Sequence, residues 1–166
     1  MHYGLFFSQK SVAQAQEAQD DEQLQAAWDW LSAAPGTILR EAPDSSSTDS
    51  DAMAPITKPQ LDDYGSALSD GLRYRFQDNA AAGARAVAAL QAGLGWASSE
   101  SLLDAIWALM AASQVFEMVR DHDQLAPFGN EWLERYQQQV ESLLSADATL
   151  LEQLWQMTLR IVAGVV

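Results

Sequence analysis

LLDAIWALMAASQVFEMV, running from Leu102 to Val119, is the stretch on which the fold of this chain turns. Laid on a helix of 3.6 residues per turn, it is apolar on nearly every side, so it needs neighbours all round it. Asp104, Gln114 and Glu117 interrupt the run, which falls short of a clean span of ~20 residues across a bilayer. We therefore expect a buried core helix here and no membrane segment. Ser101-Leu102-Leu103-Asp104 supplies its start, with Ser101 as N-cap.

Helices on both sides can supply the neighbours. Downstream, Pro127 suits a first helical turn, and Phe128, Trp132, Tyr136, Val140 and Leu144 follow at four-residue spacing. A last helix begins near Thr149, with Leu151, Leu154, Trp155, Thr158, Ile161, Val162 and Val165 as its expected buried stripe. Upstream, an alanine-rich helix runs from Ala80 through Val87 and Leu90 to Gly93, and its small residues allow a neighbour to come close. Thr57-Lys58-Pro59-Gln60 opens the helix before it, which places Leu61, Tyr64, Leu68, Leu72 and Phe76 on one stripe. The first clear helix starts near Asp20: Asp20 and Gln23 resemble a capping pair, and Leu24, Ala27, Trp28 and Leu31 share a face. Pro35-Gly36 stops that helix, and Val12–Ala18 reads as a weaker helical turn.

No run shows convincing two-residue alternation except the short Tyr3–Phe7 segment. The expected fold is all-α: a compact bundle of about five to six helices, with a short extended segment at the N-terminus. Asp44–Asp51 reads DSSSTDSD and has nothing apolar to bury, so a mobile loop is expected over about residues 43–56. It is too short to separate two substantial domains, and residues 1–166 read as one helical domain.

Composition narrows the chemistry. With no cysteine, disulfides, thiolate metal sites and cysteine nucleophiles are excluded, which fits a reducing cytoplasm. Met1–Lys10 lacks a basic leader and a long apolar stretch, so no secretory signal is expected and the protein reads as cytoplasmic. Nine basic residues against 23 acidic ones give a formal charge of −14. Such a field repels nucleic acid and anionic membranes and steers basic partners inward, although it also serves solubility alone.

A catalytic site needs convergent polar groups, and none stands out. Gly93-Leu94-Gly95 lacks the third glycine, the lysine and the preceding strand of a phosphate loop, so a helix cap is its plainer role. Only His2 and His122 exist, and Val119 stands where a Glu-x-x-His pair would need its glutamate. Glu117, Asp121, His122 and Asp123 gather near one helix end, where a solvated terminus accounts for them. No catalytic residue, cofactor or metal is therefore assigned.

Candidate partner-binding residues are Trp30, Trp96, Asp20, Asp21 and Glu22. Of six tryptophans, Trp28, Trp107, Trp132 and Trp155 lie on apolar stripes and read as core. Trp30 stands about 200° round the helix from Trp28, and Trp96 sits in a Gly-Trp-Ala-Ser loop, so both suit either a surface that anchors a partner or burial against a second element. Asp20-Asp21-Glu22 could receive a basic partner or simply complement a helix N-terminus. Asp62-Asp63 carries the same ambiguity.

Taken in order, several features resemble the YjaG-like family, bacterial helical proteins without an established activity. They are the aromatic segment Tyr3–Phe7, the acidic-capped helix from Asp20 through Trp28 to Leu31, and the alanine-rich Ala80–Val87. Val115–Val119 and Pro127–Leu144, with Glu131-Trp132, continue the likeness. The family has a further helix, with a Cys-Glu-Arg-like stretch, before the aromatic segment; this chain starts after it, and its serine-rich loop looks inserted. The resemblance implies an all-helical fold and transfers no catalytic residue.

The leading expectation is a non-enzymatic, acidic protein-binding module, in its specific form an immunity-type inhibitor of a basic toxin or nuclease. A small enzyme or ligand-binding protein with an inter-helix pocket is the competing class. A scaffold role, with the chain as a homo-oligomer, is the third.

Overall fold

A computed structural model of the chain describes residues 2–3, 7–18, 20–23, 25–32, 58–96 and 101–164. A two-residue hairpin opens it: β1 (His2–Tyr3) pairs antiparallel with β2 (Phe7–Ser8), Tyr3 opposite Phe7. Seven helices follow among the described residues: α1 (Gln9–Glu17), α2 (Gln25–Ser32), α3 (Lys58–Gln77), α4 (Ala80–Gln91), α5 (Leu102–Val119), α6 (Gly129–Leu144) and α7 (Leu150–Ala163). The fold is an all-α bundle; α1 is the segment read from the sequence as a helical turn.

Local chemistry sets the helix ends. Ser8 and Ser11 close a capping box on α1, and Thr149 and Glu152 close another on α7. Asn79 caps α4 through Ala82 N at 3.0 Å, and Ser101 caps α5 as expected. Gly93 ends α4 in a Schellman motif: its N–H donates to Leu90 O, Leu94 N–H donates to Ala89 O, and Gly93 takes φ +98°. Two expected starts are displaced. The turn before α2 closes on Asp21, whose Oδ1 accepts the Gln23 amide at 2.8 Å, in place of the expected Asp20–Gln23 pair. Pro127 lies in the turn ahead of α6, which begins at Gly129.

The central role of α5 is as expected. It touches α3, α4, α6 and α7, and Leu103, Ile106, Leu109, Ala112, Val115, Phe116 and Val119 are buried along it. Its mean hydropathy of 1.4 over 18 residues would suit a membrane span, yet in this fold most of it is enclosed by neighbouring helices. Trp132 of α6 stacks between Phe116 at 4.5 Å and Tyr136 at 5.3 Å, joining α5 to α6 by aromatic faces.

Three expected core faces are corrected. On α3, Tyr64, Leu68, Leu72 and Phe76 are only half-buried, whereas Gly65, Ala67, Ser69, Asp70, Gly71 and Arg75 are buried. This helix is covered on two sides, by α4 and α5 and by α1 and α2, so small residues fill the tighter contact. Gly71 lies against Met118, where an added Cβ would meet sulfur at 3.0 Å. On α7 the buried residues are Leu159 and Val162, while Leu154 and Ile161 face outward. Trp107, expected in the core, is 37% exposed. The serine-rich loop at about 43–56 and Thr57 lie outside the described residues, as do the side chains of Leu24 and Leu31.

Candidate interaction surface

The polar groups of the bundle are largely engaged with one another. Arg75, buried on α3, grips Asp121 with both terminal nitrogens, Nη1 to Oδ2 at 2.7 Å, and the Tyr74 hydroxyl donates to the same carboxylate at 3.1 Å. Burial pushes the Asp121 carboxyl up, but the Arg75 contacts and the Tyr74 hydroxyl outweigh it and hold it below its ordinary value. Burial, then the Asp121 charge, push the Tyr74 hydroxyl up. His122 sets its ring edgewise to Tyr74 at 5.2 Å, and its Nδ1 accepts the Gln124 amide at 3.2 Å. Glu117, buried on α5, pairs with Arg120 at 3.0 Å. Of the acids and imidazole that cluster in the sequence, Asp121 and His122 are thus tied to α3, Glu117 pairs within its own helix end, and Asp123 is exposed.

A pH-dependent prediction follows from this knot. Asp121→Asn should destabilise the fold by about 1–3 kcal/mol at neutral pH, because a buried guanidinium loses its carboxylate acceptor. A carboxyl whose folded pKa is depressed contributes stability that is present above its unfolded pKa and lost as pH falls through the folded one. The gap between wild type and variant in urea unfolding should therefore be full at pH 7 and shrink below the ordinary carboxylate range. A gap that does not change with pH would contradict the ion pair.

Two shallow cavities open between helices. One, of ≈ 400 Å³, lies between α3 and α4 against the Gly93–Gly95 turn. Of its charged groups, Asp70 and Arg85 are bound to each other, with Arg85 Nε donating to Oδ2 at 2.9 Å, while Asp63 is exposed. The other, of ≈ 300 Å³, lies beside Trp96, Trp132 and Arg135. Among the described residues no group of three or more histidines or acids is arranged to hold a metal ion.

The most distinctive surface is one that sequence reading missed. α7 packs on α5 and α6 through Trp155, Leu159 and Val162, and Gln156 Nε2 donates to Leu143 O at 2.7 Å. Its opposite side is apolar too: Leu150 is 77% exposed, Leu154 56%, Met157 63% and Ile161 63%. Trp107 of α5 lies beside α7, its ring 4.9 Å from that of Trp155. Burying a leucine, isoleucine or methionine is worth about 1.5–3 kcal/mol per side chain, so a continuous row left in water is unfavourable unless something covers it. The signal lay in the sequence as a helix with more apolar positions than one face can bury.

None of the residues singled out from the sequence as a partner surface belongs to α7. Trp96 is half-buried, 5.2 Å from Trp132, with the Arg135 guanidinium 4.8 Å over its ring. It is part of a cation–aromatic stack and not a free anchor. Asp20, Asp21 and Glu22 are exposed in the turn between α1 and α2, and Asp63 is exposed on α3. The Trp30 side chain lies outside the described residues. No family profile, curated protein or solved structure matches this chain.

Proposed function

We propose that this protein works by binding another protein chain, not by catalysis, and that the outward face of α7 with Trp107 beside it is the contact surface. The exposed row Leu150, Leu154, Met157 and Ile161 carries this reading. It has the composition and helical spacing of an association seam, and its neighbour Trp107 is of a residue type enriched at interface hot spots. The engagement of Arg75 with Asp121, Arg85 with Asp70 and Arg120 with Glu117 supports the non-catalytic half, since these groups serve packing contacts. The charge of −14 would draw a basic partner, as an immunity-type inhibitor would use, to the acidic surface outside α7, in a cytoplasmic setting. Kinship with the YjaG-like proteins belongs to the same reading and adds no activity.

Affinity capture from a bacterial lysate, with the full chain and its Leu154→Glu variant as baits, tests the surface. Leu154 is exposed, so the variant should fold as the wild type does by circular dichroism and lose the captured proteins. Equal retention by both baits would sink the assignment of α7.

A further inference from the structure

The outward stripe of α7 is symmetric about its own midpoint. Leu150, Leu154, Met157 and Ile161 are spaced by four, three and four residues, so reversing the helix lays the stripe back on itself. This is the a/d spacing of a coiled-coil seam. A two-fold axis passing between Trp155 and Gln156 would set Leu150 against the partner's Ile161, and Leu154 against the partner's Met157. Each macrodipole would then lie beside one of opposite direction, positive end by negative end.

Charge points to the same occupant. Within α7 no acid lies on the stripe or at the helix positions that flank it, which are Leu151, Gln153, Thr158 and Arg160. The one acid of α7, Glu152, falls about 180° from the stripe at ~100° per residue, and its carboxylate accepts from the Thr149 amide at 2.8 Å and hydroxyl at 2.7 Å. Two copies can meet here without opposing carboxylates, with Arg160 set beside the partner's Gln153. A basic partner would find no acid of α7 on this face to pair with.

We infer that the occupant of this face is a second copy of the chain, bound α7 to α7 in an antiparallel, two-fold symmetric pair. The inference rests on α7 being an association surface, and the experiment separates the two claims. Sedimentation of the full chain at micromolar concentration should give twice its 18.2 kDa. Met157→Glu, which sets a carboxylate into the seam from both copies, should weaken the pair about 30-fold or more. Both copies are acidic, so raising salt from ~0.05 to ~0.3 M should tighten the pair, the reverse of binding to a basic partner.

The register can be read directly, because the chain has no cysteine of its own. Leu150→Cys and Ile161→Cys chains, mixed, should form the mixed disulfide. Neither alone should link to itself, since like positions would stand about 16 Å apart along the helices. A wild-type chain that stays monomeric overturns the pairing, as does a dimer indifferent to Met157→Glu. Leu150→Cys chains that link to one another overturn it as well. A monomer that loses a different captured protein on Met157→Glu would remove the second copy as occupant and leave the association surface standing.

Discussion

Trp132→Ala should lower the stability of the fold by about 3–5 kcal/mol, the range for truncating a buried aromatic. Trp132 is buried and ties two helices together: it stacks on Phe116 of α5, touches Tyr136 one turn along α6, and meets Trp96 from the turn after α4. Removing the indole leaves a void that three rings from three parts of the chain must close at once, so relaxation should recover little. Urea unfolding followed by circular dichroism should show the midpoint fall with the slope unchanged. Trp107→Ala, at a ring 37% exposed, should fall well short of that. If both substitutions had the same small effect, the aromatic stack would not be the centre of the core.

Gly95→Ala should destabilise by about 2–5 kcal/mol, combining the αL penalty with overpacking. Gly95 takes φ +89°, and an added Cβ would stand 2.6 Å from Ala112 Cβ and 3.3 Å from Ala108 O on α5. The contact is helix backbone against turn, so no flexible side chain can swing clear. Gly93 provides the comparison: its φ is +98°, but its nearest neighbour would be Trp96 at 3.6 Å. Gly93→Ala should therefore show only the conformational part, about 1–2 kcal/mol. Thermal unfolding of the two variants side by side separates strain from overlap, and equal losses would show that the close approach to α5 is not tight.

The bundle was readable from the sequence because its signals are local and redundant. Ser101 and Thr149 mark helix starts, Gly93 marks a stop, and the run Leu102–Val119 demands burial on all sides. The exposed apolar stripe of α7 was not readable in the same way. On α7, Leu154 and Ile161 share one side while Leu159 and Val162 share the other, and periodicity alone gives no reason to turn one inward. The choice is made by α5 and α6, whose groove accepts Trp155 and leaves Leu154 outside. Trp107 was misplaced for a related reason: α5 is apolar all round, but α7 lays Trp155 and Leu159 against the bundle without closing over the Trp107 indole. Arg75 shows the converse. A basic residue on a helix reads as exposed, and only the approach of Asp121 and Tyr74 makes its burial tolerable.

On the proposed function, the outward row of α7 is apolar for association and not for the stability of the chain itself. Replacing Leu150, Leu154, Met157 and Ile161 together by glutamine tests both halves, with molecular mass by sedimentation and unfolding by urea at submicromolar dilution. Exposed substitutions away from special features usually change stability by no more than ~0.5 kcal/mol each, so the diluted variant should unfold close to wild type. At micromolar concentration it should remain at 18.2 kDa while the wild-type chain sediments at twice that mass. A glutamine variant that still self-associates, or one that is unfolded when dilute, would contradict the account.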